Sequence, residues 1–232
     1  DGDGIYRGPV TPDRADPAHV ATRPDGTRVS LVEWQGKWGA VLESATRITV
    51  FSENSRDHVL AAWPGLERKL RVRPHELLAP VPRLSAPDGG KTVIGVLGNI
   101  GYQKGAGLVE DLGRHLRKDP SMSLVLVGNI DPSFSLPRQV TIHGDYRLDQ
   151  IGDLVARYGI TCWLIPSIWP ETFSYTTHEA LATGLPVHAF DIGAQGAAVA
   201  RAENGVPIRF APDADLVQNI LTTIEDRQGP AR

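Results

Sequence analysis

The sequence predicts an α/β fold: a doubly wound parallel sheet with helices on both faces, preceded by a partial N-terminal region. Three observations carry this. Six apolar runs of strand length recur after Gly90: VIGVLG (Val93–Gly98), LVLVG (Leu124–Gly128), VTIHG (Val140–Gly144), TCWLIP (Thr161–Pro166), PVHAF (Pro186–Phe190) and VPIRF (Val206–Phe210). They are continuous rather than alternating, as in strands buried on both faces. Between most of them lie helix-like segments, Gly105–Leu116, Asp149–Tyr158, Tyr175–Thr183 and Gln195–Ala202, with a last helix expected from Asp213 to about Asp226. Strands alternating with helices give parallel pairing, and ligands then bind beyond the C-terminal ends of the strands.

Upstream the rhythm differs. Residues 1–29 are polar and rich in Gly, Pro and Asp, and read as loops with one short strand. Leu31, Trp34, Trp38, Val41, Leu42 and Ala45 recur at helical spacing, so a helix is expected from Ser30 to about Ala45, with Trp34 and Trp38 on its packing face. RITVF (Arg47–Phe51) reads as a strand. The next helix has Ser52 or Asn54 as N-cap and stops at Pro64-Gly65. LRVRPHELL adds a short strand, and Ala79–Gly90, with three prolines and two glycines, reads as a linker. The expected domains are 1–86 and 87–232, without internal repeats.

Composition narrows the function. Hydrophobic content of 41% and charged content of 22% fit a globular chain rather than a disordered one. A net charge of −3 leaves no electrostatic footprint for nucleic acid. The lone cysteine, Cys162, reads as a small buried hydrophobe, and a reducing, cytoplasmic compartment is expected. No apolar run reaches the length of a membrane span, and no signal peptide opens the chain. The chain begins at Asp1 and its only methionine is Met122, so a missing N-terminal segment is expected.

The residues after each strand are the candidates for chemistry. After the first run, NIGYQKG places Gly98, Gly101, Gly105 and Lys104 in one turn beside Asn99. Glycines admit close backbone approach to an anion, a helix start supplies amides, and a lysine supplies charge. The turn matches neither the dinucleotide fingerprint nor the P-loop, and a solvated loop lysine is the alternative. Asn129 follows the second run. Asp145-Tyr146-Arg147 follows the third, where Tyr146 or Arg147 could meet a base, or simply form a turn.

After the fourth run comes PSIWPETFSYTTHEALATGLPV (Pro166–Val187). Thr172 or Ser174 opens a helix whose first amides face the site. Glu171 lies before that helix and Glu179 about one turn inside it. Each carboxylate could accept hydrogen bonds from a pair of sugar hydroxyls. Alternatively, Thr176 and Glu179 form a capping box.

Metal and hydrolase chemistry find little support. Asp1-Gly2-Asp3 and Asp213-Ala214-Asp215 carry a D-x-D pattern, but the histidines lack ligand spacing and no G-x-S-x-G elbow exists. No metal site and no cofactor are expected.

The segment ETFSYTTHEALATGLPV resembles the E-x7-E signature of retaining, nucleotide-sugar-dependent glycosyltransferases of GT-B architecture, family 4 in particular. Glu171, Phe173, Glu179, Ala180, Gly184, Pro186 and Val187 match its pattern. The likeness includes Lys104-Gly105 and DIGA (Asp191–Ala194), covers about Gly90 to Ile224, and extends weakly upstream.

The resemblance implies a Rossmann-like donor-binding half with the remnant of an acceptor domain before it, and a role in polysaccharide biosynthesis. It implies that Glu171 contacts donor-sugar hydroxyls, Glu179 the nucleotide ribose, and Lys104 the diphosphate. Glu171 and Lys104 are thus the catalytic candidates. Gly98, Asn99, Gly101, Asn129, Tyr146, Phe173, Ser174, Tyr175 and Glu179 are the donor-site candidates. The implied partners are a nucleotide-sugar donor, a saccharide or glycolipid acceptor and a missing N-terminal domain, with peripheral contact at the inner membrane face allowed.

Departures exist. Asn99 stands where the family usually has arginine, Thr172 and Ser174 where it usually has glycine, and QGAAVAR where many relatives carry Glu-Arg. A sugar-nucleotide epimerase, a phosphorylase relative or a non-catalytic scaffold module are the rival expectations.

Overall fold

The computed structural model describes residues 6–11, 19–85 and 90–228. Its contacts divide the chain into two units, Asp1–His75 and Glu76–Arg232.

In the first unit, strands β1 (Val20–Thr22) and β2 (Arg28–Ser30) form an antiparallel hairpin, two strands where one was expected. The turn between them is closed by the Asp25 carboxylate, which accepts the Thr27 amide at 2.9 Å. Helix α1 (Leu31–Ser44) starts at Ser30, whose hydroxyl accepts the Glu33 amide at 3.1 Å.

The packing face of α1 is not the tryptophan stripe. Trp34 and Trp38 are 38% and 47% exposed, whereas Gln35 and Gly39 are buried. Gly39 leaves room for the Trp63 indole, which a Cβ there would meet at 2.8 Å, and that indole donates to the Gln35 carbonyl at 3.0 Å. The indole therefore decides which side of the helix turns inward. Strand β3 (Ile48–Val50), helix α2 (Glu53–Ala62) and strand β4 (Leu70–Val72) follow, with β3 and β4 parallel. Ser52 caps α2, and Pro64 ends it by opening a 3-10 turn over Pro64–Lys69. The strand expected over LRVRPHELL is confined to β4.

The second unit runs β5 (Thr92–Leu97), α3 (Ala106–Leu116), β6 (Met122–Val127), β7 (Thr141–Ile142) and α4 (Ile151–Tyr158). It continues with β8 (Cys162–Ile165), α5 (Tyr175–Ala182), β9 (Val187–Phe190), α6 (Gly193–Arg201), β10 (Gly205–Ile208) and α7 (Leu216–Gln228). The six strands are all parallel, in the order β10-β9-β8-β5-β6-β7. Strand order therefore reverses between β5 and β8, and the crevice for ligands opens above that pair.

One core, with Ile94, Leu112, Leu126, Ile220 and Ile224, lies under α3 and α7. The other, with Leu97, Val155, Trp163, Leu185 and Val199, lies under α4, α5 and α6. The sheet is covered on both faces, which makes it doubly wound. Cys162 is buried in β8, and desolvation pushes its thiol up to about 12.

Three boundaries differ from expectation. β7 keeps two residues of the predicted Val140–Gly144, because only Thr141 and Ile142 pair with β6. Helix α7 begins at Leu216, with the Asp215 carboxylate accepting the Gln218 amide at 3.0 Å, so this aspartate of the D-x-D pattern serves the helix start. Asp1 and Asp3 lie outside the described residues. Finally, residues 81–84 of the expected linker dock onto the second unit. Val81 and Leu84 pack on its core, and the Leu84 amide donates to the Thr183 carbonyl at 2.7 Å. The unit boundary accordingly falls after His75 rather than at 86.

Candidate functional site

The ends of β5 and β8 meet closely. Gly105, with φ +81°, lets the start of α3 lie against β8, since a Cβ there would fall 2.2 Å from the Pro166 carbonyl oxygen. A side chain cannot occupy that space, and φ in this region favours glycine. The Gln103 carbonyl accepts the Ile168 amide at 3.2 Å, tying the two loops together. Gly98 ends β5 beside the first turn of α5, where a Cβ would meet the Thr176 methyl at 2.9 Å. Gly101 faces open space.

Lys104 closes a 3-10 turn, Tyr102–Lys104, and its Nζ lies 3.8 Å from Glu171 Oε2. Glu171 Oε1 accepts the Ser167 hydroxyl at 2.5 Å. The Glu171 amide donates to Gln195 Oε1 at 3.0 Å, and the Gln195 Nε2 group donates to the Trp169 carbonyl at 2.8 Å. Sequence reasoning missed Ser167 and Gln195. Ser167 falls inside the quoted loop, but Gln195 is 24 residues downstream of Glu171 and its contact has no local signal.

Helix α5 opens at Ser174 without a side-chain cap. The Ser174 hydroxyl is turned inward, accepting the Thr177 hydroxyl at 2.8 Å. The expected Thr176–Glu179 capping box does not form. Glu179 instead accepts the Tyr146 hydroxyl at 3.4 Å, and only 7% of it is exposed. Burial raises its carboxyl above the usual range, opposed by the Tyr146 hydroxyl and the charge of Lys104. The same burial, with the Glu179 charge, raises the Tyr146 phenol.

Around this pair, Phe173 is buried and stacks on His178, ring centroids 4.3 Å apart, while Tyr175 meets Phe173 edge-on at 5.0 Å. The Asn129 side-chain amide donates to Asn99 Oδ1 at 3.3 Å and to Asp145 Oδ1 at 2.6 Å, joining the ends of three strands. Arg147 pairs with Asp149.

The structure therefore joins Lys104 to Glu171 and Tyr146 to Glu179, and links Asn99 to Asn129. It turns the Ser174 hydroxyl and the Phe173 ring inward. Among the described residues no group of three or more His, Cys, Asp or Glu side chains could hold a metal ion, and no helix is long and apolar enough to cross a membrane. The loops after β5 and β8 thus bring one cation, Lys104, onto the Glu171 carboxylate, with a second carboxylate, Glu179, buried on the helix that follows.

Comparison with known proteins agrees with this fold. The family model for glycosyl transferases group 1 matches residues 82–232. No curated protein matches the chain. Sucrose-phosphate synthase from Thermosynechococcus elongatus is similar in structure, with a TM-score of 0.62 and 22% identity over 90% of this chain and 56% of that one. A TarM variant from S. aureus, in complex with fondaparinux, alpha-GlcNAc-glycerol and UDP, gives a TM-score of 0.60 and 16% identity, covering 90% of this chain and 43% of that one. The catalytic domain of starch synthase IV from Arabidopsis thaliana, bound to ADP and acarbose, gives 0.59 and 14%, covering 94% and 54%. The chain spans about half the length of these structures.

Proposed function

The chain belongs to the glycosyl transferases group 1, and from that premise we propose that it supplies the donor site of a retaining, family 4 enzyme. This enzyme transfers a sugar from a nucleoside diphosphate to a saccharide or glycolipid hydroxyl. The observation that carries the reading is that Lys104 meets Glu171 where the loops after β5 and β8 come together, with Glu179 buried on the helix that follows Glu171. Lys104 lies 3.8 Å from Glu171, and its charge also acts on buried Glu179.

A nucleotide-sugar has hydroxyls at its two ends and a diphosphate between, which matches this order. Glu171 accepts from sugar hydroxyls, and Glu179 accepts from the ribose. Lys104 and the uncapped start of α5 hold the diphosphate. When the bond between the sugar and the diphosphate oxygen breaks, charge grows on the departing phosphate. Stabilising that charge is the main catalytic contribution such a site can make. The acceptor side belongs to chain beyond this site, and the reading requires no metal or cofactor. The reaction belongs to a cytoplasmic or inner-membrane-face setting, where nucleotide-sugars are consumed in polysaccharide biosynthesis.

Saturation-transfer NMR with UDP-glucose, GDP-mannose and ADP-glucose tests the reading. Ribose and sugar protons of one donor should both saturate, and Glu171→Gln should lose the sugar signals first. A protein that saturates neither set from any donor contradicts it.

A further inference from the structure

We propose that Gln195 is a positioning residue for Glu171: its buried amide staples the Trp169–Glu171 backbone to α6 and so fixes the carboxylate that meets the donor sugar. The inference rests on the donor reading above.

Gln195 is fully buried, at 0% exposure. Its carbonyl oxygen accepts the Glu171 amide at 3.0 Å and its nitrogen donates to the Trp169 carbonyl at 2.8 Å. A primary amide offers one acceptor and donors on adjacent atoms, matching one N–H and one C=O on either side of Pro170, which has no N–H of its own. The Ala194 amide donates to the Glu171 carbonyl at 2.9 Å, so α6 holds the Glu171 backbone through both its polar groups.

The approach is close. At Gly193, with φ +61°, a Cβ would fall 2.5 Å from Pro170 Cα and 2.6 Å from the Glu171 nitrogen. The buried Ser167 hydroxyl orients one carboxylate oxygen, and the other faces Lys104. Only the carboxylate of Glu171 is left to answer a ligand. An apolar side chain in place of Gln195 would leave the Glu171 amide and the Trp169 carbonyl without this partner, and a shift of the loop would move Glu171 away from the sugar. Glu179, on α5 and bonded to Tyr146, would not move with it.

Two measurements test this. First, amide exchange of the unliganded chain by NMR: Gln195→Met should speed exchange at Glu171 by about tenfold or more, with the β8 and β9 amides unchanged. Second, affinities for UDP and UDP-glucose, GDP and GDP-mannose, and ADP and ADP-glucose. For the pair that binds, Gln195→Met should weaken the nucleotide-sugar by roughly tenfold and the bare nucleotide by no more than about twofold. Adding Glu171→Gln should cost nothing further, because both changes remove one contact.

Gln195→Asn keeps the amide but is one methylene too short to span both groups. It gives the same pattern if the methionine variant does not fold. Unchanged exchange at Glu171, equal loss of nucleotide and nucleotide-sugar, or additive losses with Glu171→Gln overturns the inference. If wild type binds none of the six probes, the donor reading fails, and the exchange result alone decides the staple.

Discussion

Glu171 and Glu179 are the same residue type eight positions apart, and the fold treats them in opposite ways. Glu171 sits on a loop, its backbone held by Gln195 and Ala194 and its carboxylate shared between Ser167 and Lys104. Glu179 sits on a helix and is buried beside one phenol, with its carboxyl raised by desolvation. The first is fixed by partners and the second by burial. A buried carboxylate with few partners costs stability in the empty protein, which is the mark of a group kept for a ligand. A carboxylate already paired can orient without such a cost. The comparison teaches that a ligand's hold on Glu179 should depend on ionisation, and its hold on Glu171 on geometry; under the proposed function these are the ribose and sugar ends.

The comparison can be broken in several ways. The largest effect expected is from Glu179→Ala, which should weaken nucleotide binding by about a hundredfold, roughly 3 kcal/mol, through loss of charge-assisted bonds to the ribose. Calorimetry checks this. Glu179→Gln should also bind poorly, yet raise the melting temperature of the empty protein, since it removes a buried charge. A lowered melting temperature would contradict the burial argument.

A similar magnitude is expected from His188, a buried group outside the site. Its Nδ1 has no hydrogen-bond partner, and burial, with the Arg227 charge, pushes its imidazole down to about 4. The unfolded chain therefore binds a proton below about 6.5 that the folded chain refuses until about 4, so stability falls as pH drops through that window. The full loss is about 3 kcal/mol, at roughly 1.4 kcal/mol per pH unit. Urea titrations of wild type and His188→Leu at pH 7 and pH 4.5 should show a smaller pH dependence in the variant.

Binding should have its own acid limit. Glu179 must be ionised to accept from the ribose, and its carboxyl is raised, so affinity should fall on acidification at higher pH than an ordinary glutamate would give. Affinity unchanged down to the ordinary carboxylate range would contradict this. Lys104→Ala should cost about tenfold and flatten the salt dependence, because its charge is half exposed and screened. The smallest effect belongs to Tyr146→Phe, about twofold to threefold in affinity, with the acid limit moved upward. The Tyr146 hydrogen bond lowers the Glu179 carboxyl, and at 3.4 Å it is a long one.

Much of the second unit was legible in the sequence because strands buried on both faces read as continuous apolar runs. Their spacing also placed the helices to within a few residues. The glutamate pair was legible because its spacing is linear. What escaped depends on distant partners. The inward side of α1 is set by Trp63, the brevity of β7 by its pairing with β6, and the capping box is lost because α5 starts at Ser174, leaving Thr176 inside the helix and Glu179 turned to Tyr146. Gln195 reads as one more helical residue until the chain folds back onto Glu171. Tyr146 was noticed as a ring that could meet a base, whereas the structure turns its hydroxyl to Glu179.

The central claim is that Lys104 and Glu179 form a nucleotide site, and calorimetric titration with UDP, GDP, ADP and CMP tests it most directly, with Lys104→Ala and Glu179→Ala alongside. The account predicts that one nucleotide binds wild type and that both substitutions weaken it, which would also name the base. Binding of none of the four, or binding that both variants retain at full strength, would contradict it.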